Sequence, residues 1–130
     1  MIKKLEAKEI VQILDFSDPI EQIFPCDRGE WVQFLMQNFE HPEIFVIGRV
    51  DKDLLTAYAV VANMVGKPLS NVVSILFASE LAIEDQEIKD NIISWAKEKG
   101  AQKVIFQASD RADLEKMKVD KISYVGHWII

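Results

Sequence analysis

The chain has 130 residues, of which 49% are hydrophobic and 28% charged, and its formal net charge is −6. That length suits one globular domain with its own core, built without metals or disulfides. The negative balance repels phosphate backbones and anionic lipid, which argues against nucleic acid and membrane surfaces as partners.

Cys26 is the only cysteine, so no internal disulfide forms. This points to a reducing compartment, and the cytoplasm is the expected location. The first six residues lack the apolar stretch of a signal peptide. The apolar-rich run over residues 57–65 is too short to cross a bilayer and is interrupted by Asn63.

In chain order, residues 2–6 read as a short first strand. From Lys8, apolar residues at Ile10, Val11, Ile13, Leu14 and Phe16 suit a helix that stops near Asp18-Pro19. Asp27 is placed to cap a second helix carrying Trp31, Phe34, Leu35 and Phe39, ended by His41-Pro42. Residues 43–50 and 54–64 read as a hairpin joined at Asp51-Lys52-Asp53. Residues 72–78 (VVSILFA) are nearly all apolar, as expected of a strand covered on both faces. A crossover helix follows, with Ile88, Ile92, Trp95, Ala96 and Lys99 on one stripe and Gly100 at its end. Residues 104–108 form the next strand, 111–117 a short helix, and 122–130 (ISYVGHWII) a closing strand. The expected class is α/β (α+β), a mixed, mostly antiparallel sheet with helices on both faces in the order β-α-α-β-β-β-α-β-α-β. A right-handed crossover makes the strands at 72–78 and 104–108 parallel.

The turn into the crossover helix runs Ser79-Glu80-Leu81-Ala82-Ile83-Glu84-Asp85-Gln86-Glu87. Free N–H groups and the positive end of the helix dipole make such turns phosphate sites in many folds. Here the turn holds four carboxylates, and no glycine occurs between Gly66 and Gly100. Acids in a first helical turn also stabilise a helix on their own account, by about 0.3–1 kcal/mol each.

The stretch Ile92-Ile93-Ser94-Trp95-Ala96-Lys97-Glu98-Lys99-Gly100-Ala101, followed by the strand Val104-Ile105-Phe106, resembles the crossover helix of the GNAT superfamily of N-acetyltransferases. The whole element order is similar to that family's. The resemblance implies acetyl-CoA in a V-shaped opening between the two parallel strands, its diphosphate on the turn that the family marks Gln/Arg-x-x-Gly-x-Gly/Ala. Counting back from Gly100, the amide or basic position falls on Glu80 and the two small positions on Ile83 and Asp85. All three depart from the pattern. A carboxylate about 6 Å from a phosphate charge costs roughly 0.7 kcal/mol in water-like screening and about 3 kcal/mol at an effective dielectric of 20.

If acetyl-CoA binds, the resemblance implies contacts from Leu76, Phe77 and Ala78 of the strand together with Glu80, Ile83 and Asp85. The family's proton donor is a tyrosine near the last helix. None occurs in residues 111–121, and Tyr124 is the nearest. Glu80 is the best-placed general base. His127 reads as a half-buried strand residue and His41 as punctuation at a helix end. Cys26 has no neighbouring histidine or basic cluster to activate it, and no zinc spacing is present. The leading expectation is a non-catalytic or atypical GNAT-like domain, without cofactor, that binds a small molecule or protein through the inherited cleft. The alternatives are an active acetyl-CoA-dependent N-acetyltransferase and an unrelated interaction protein of similar topology. An apolar chain end also leaves room for a homodimer.

Overall fold

The computed structural model describes residues 1–20, 23–66, 70–108, 111–123 and 128–129. Five strands form one sheet in the order β1-β2-β3-β4-β5: β1 (Ile2–Lys4), β2 (Ile44–Asp51), β3 (Leu54–Asn63), β4 (Val72–Ala78) and β5 (Lys103–Phe106). The first four run antiparallel to their neighbours, and β5 runs parallel to β4. The expected mixed sheet with helices on both faces is what forms.

Local chemistry accounts for the elements. The β2–β3 hairpin turns through Lys52 and Asp53, both with positive φ (52° and 65°), the turn geometry that matches the natural twist of paired strands. Helix α2 (Arg28–Asn38) starts on Asp27, whose side chain accepts from the Glu30 N–H at 2.8 Å while Glu30 reaches back to the Asp27 N–H. Helix α4 (Gln86–Glu98) ends in a Schellman motif. Gly100, at φ 79°, donates to Lys97, and Ala101 donates to Ala96.

The core has two layers, one on each side of the sheet. One face packs α1 (Ala7–Ile10) and α2 on the sheet, through Ile10, Trp31 and Leu35 against Val46, Tyr58, Val60 and Phe77. The opposite face carries α4, whose Ile88, Ile92 and Ala96 meet Ile47, Ala59, Val61 and Val73.

Three expectations are amended. The first helix is only one turn long and tightens into a 3₁₀ turn over Val11–Asp15. Residues three apart eclipse in that geometry, so Ile10 and Ile13 both enter the core while Val11 and Leu14 stay exposed. The crossover between β4 and β5 contains two helices, α3 (Glu80–Ile83) and α4, instead of one. Of the closing strand, Ile122, Ser123, Trp128 and Ile129 lie outside any strand, and Trp128 and Ile129 are exposed. Tyr124, Val125, Gly126, His127 and Ile130 lie outside the described residues. Helix α5 (Arg111–Lys116) follows β5 as expected.

Candidate functional site

The two parallel strands pair from Val72↔Lys103 to Ile75↔Phe106 and no further. Strand β4 continues for three residues, Leu76, Phe77 and Ala78, of which Phe77 and Ala78 pair with Val60 and Ala59 of β3. On the β3 side the register slips at the same place, since Val61 faces Ile75 but Val60 faces Phe77. Leu76 is therefore an extra residue, a β-bulge. The bulge reverses the side-chain alternation. Val73 and Ile75 point to the α4 layer, whereas Phe77 joins Trp31 and Tyr58 in the other. The β4–β5 ladder thus ends one residue before the bulge, and β5 itself ends at Phe106.

Beyond Ala78 the chain is anchored before it turns. The Ser79 N–H donates to the Tyr58 carbonyl and the Tyr58 N–H donates to Ser79 Oγ, each at 2.9 Å and both buried. The Ser79 carbonyl accepts from Ala82 and Ile83, which closes α3 as a single turn. A second start follows at Asp85. Its Oδ1 accepts from the N–H groups of Glu87 (3.1 Å) and Ile88 (3.2 Å), the N-cap arrangement, and its carbonyl accepts from Lys89. A short acid that bonds its own following backbone favours such a break over a continuous helix.

Arg49 of β2 meets this cap from below. Its Nε donates to Asp85 Oδ2 at 2.8 Å, and its Nη2 to Asp85 Oδ1 at 3.2 Å and to Glu87 Oε1 at 3.1 Å. The bidentate fork is the strong form of this pair. The Asp85 side chain is only 10% exposed. The Arg49 bonds, with help from the Ile88 and Glu87 N–H groups, hold its carboxyl below the usual aspartate range against the opposing effect of burial. The same bonds push the Arg49 guanidinium further up. Two of the turn's four carboxylates thus share one cation.

Phe77 commits its side chain to the aromatic cluster, which leaves its backbone as the part beyond the β4–β5 ladder. Leu76 and Ala78 are half-buried beside it, and Glu80 is exposed at the start of α3. Ile83 and Asp85 come together with Glu84 on one wall of a shallow groove of about 140 Å³, open to solvent. Lys89, Lys116 and Lys118 line it as well. Tyr124 and His127 lie outside the described residues. Among the described residues no group of three His, Cys, Asp or Glu is placed to hold a metal ion, and no helix is long and apolar enough to cross a membrane. Sequence reasoning passed over Arg49, which stands 36 residues from Asp85. An arginine in an otherwise apolar strand was the only available signal.

With this geometry in view, solved structures of low sequence identity superpose over the whole chain. A GNAT family acetyltransferase from Staphylococcus aureus matches at TM-score 0.65 and 8% identity, covering 100% of this chain and 96% of that one. The fold is that of the GNAT acetyltransferases. The GNAT-fold neighbours include the aminoglycoside 6'-N-acetyltransferase AAC(6')-Ih of Acinetobacter baumannii, at TM-score 0.75 and 11% identity over 100% of this chain and 97% of that one. They also include a ribosomal-protein-alanine N-acetyltransferase of Brucella melitensis biovar Abortus 2308, at TM-score 0.66 and 12% identity over 98% of each chain. No protein-family model and no curated protein matches the sequence.

Proposed function

We propose that this GNAT-fold domain does not seat the diphosphate of acetyl-CoA on its strand-to-helix turn. It acts instead as a non-catalytic or atypical member, binding a ligand or a protein at the end of the sheet where the β4–β5 ladder stops. One observation carries the reading: the Asp85 carboxylate already occupies the N-terminus of α4, accepting two backbone N–H groups and the Arg49 fork. A diphosphate on those N–H groups would have to displace Asp85 from them and face Glu80 and Glu84 as well. The residues at this turn are a poor fit to the group. The test is thermal melting with about 1 mM acetyl-CoA. A dissociation constant near 10 μM would add roughly 2.7 kcal/mol and raise the midpoint by several degrees. The expected result is no shift, and a clear rise would refute the proposal.

The bulge at Leu76 and the end of the β4–β5 ladder at Ile75↔Phe106 support a second reading, an acetyltransferase that holds the cofactor mainly through the edge of Leu76, Phe77 and Ala78 that β5 leaves unpaired. Under it, Glu80 and Tyr124 remain the candidates for base and acid. The same melting experiment separates the two.

A further inference from the structure

The aromatic layer beneath α2 contains a polar seam. Tyr58 is fully buried, and its hydroxyl accepts from the Trp31 Nε1–H at 3.1 Å. The hydroxyl's own proton meets no acceptor among the described residues. Burial, and the Asp18 charge with it, push the phenol well above its ordinary range, so that proton stays on. Asp18 lies in the connection between the 3₁₀ turn and α2, flanked by Phe16 and Ile20. Both of these pack into the same layer, and the Phe16 ring stands edge-on to Tyr58 with centroids 5.2 Å apart. Arg28 takes one oxygen of the Asp18 carboxylate. Its Nη1 donates to Oδ2 at 3.3 Å, and its Nη2 donates to the Asp18 carbonyl. The other oxygen, Oδ1, is buried and has no partner among the described residues. One layer therefore holds a buried donor in need of an acceptor and a buried acceptor in need of a donor. Buried polar groups that protein does not satisfy are satisfied in folded proteins by ordered water.

We infer that one internal water binds between these two groups, accepting from the Tyr58 hydroxyl and donating to Asp18 Oδ1. The water closes a circuit. Arg28 and Trp31 share one face of the first turn of α2, and the bonds run from Trp31 to Tyr58, through the water to Asp18, and from Asp18 back to Arg28. The start of α2 and the connection before it are thereby pinned to β3. The same Tyr58 holds Ser79 through its backbone, so the circuit also steadies the strand-to-helix junction. The site lies apart from the turn and the strand edge of the proposed function and does not depend on that reading.

A high-resolution crystal structure of the full chain reads the site directly. The expected result is density for one water about 2.8 Å from both oxygens. A direct bond from Tyr58 to Asp18, or a dry gap between them, overturns the inference. A double-mutant cycle in urea tests it in solution. Tyr58→Phe deletes the donor and Asp18→Ala the acceptor, and the cycle cancels the separate losses at Trp31 and Arg28. The two substitutions are expected to be coupled by at least about threefold in the unfolding equilibrium constant. Tyr58→Phe combined with Asp15→Ala, an exposed acid of the 3₁₀ turn, is the control and should be additive. No coupling in the Asp18 cycle, or equal coupling in the control, overturns the inference.

Discussion

Ser79→Ala tests how the turn is held. Ser79 is 3% exposed and Tyr58 0%, and the Ser79 hydroxyl is the acceptor for the Tyr58 N–H at 2.9 Å. The substitution barely changes volume but leaves a buried backbone donor without its partner, which costs about 1–3 kcal/mol. With an unfolding entropy of about 2.1 cal/mol/K per residue, the chain has a total near 0.27 kcal/mol/K. The melting midpoint should therefore fall by about 4–11 °C. Calorimetry at neutral pH reads the shift, and hydrogen exchange at the Tyr58 amide should quicken because its closed state has lost a bond. Ser74→Ala, half-buried on β4, is the control and should cost under about 0.5 kcal/mol. A midpoint within about 1 °C of wild type in Ser79→Ala would refute the claim that this bond anchors the strand-to-helix junction.

Two further outcomes follow from the sheet. At Gly48 an added Cβ would lie 2.6 Å from the Ala57 carbonyl oxygen and 2.8 Å from Leu55 Cδ1, so Gly48→Ala should destabilise by about 1–3 kcal/mol, read as a lowered urea midpoint. Arg49→Met should make the loss of stability depend on pH. The folded-state carboxyl of Asp85 is depressed, so its contribution is present above the unfolded aspartate value of about 3.9 and disappears as pH falls through the lower folded value. Wild type and variant should therefore differ most at neutral pH and converge in acid; a constant difference in melting midpoint from neutral pH down to about pH 2.5 would contradict this.

Backbone-level features were legible wherever one residue type dictates one conformation. Gly100 ended α4, Asp27 capped α2, and the Asp51-Lys52-Asp53 turn joined β2 to β3. The stripe of Ile88, Ile92 and Ala96 marked the buried face of α4 because a 3.6-residue period survives without tertiary information. The bulge at Leu76 left no trace in VVSILFA, since a nearly all-apolar strand reads much the same in either register. The break at Asp85 was hidden because its acids suit one long helix start as well as two. The count of four opposing carboxylates overstated the free charge, as pairing with Arg49 is a long-range contact that no local pattern encodes.

The register of β4 and the turn that follows it rest on different physics. The first is a matter of hydrogen bonds along the strand: one surplus residue at Leu76 follows the last β4–β5 pair, Ile75↔Phe106. Many side chains satisfy that arrangement. An anion seat at a helix entrance instead depends on which residue owns the free N–H groups, and a single aspartate can claim them. Here that aspartate also ties α4 to β2 through Arg49, across the layer where Ile88 meets Ile47. Vacating the seat would therefore break the tie and leave Arg49 without the Asp85 fork. Asp85 and Arg49 thus make the turn a structural clamp between α4 and β2, on the same N–H groups that an anion at this entrance would use.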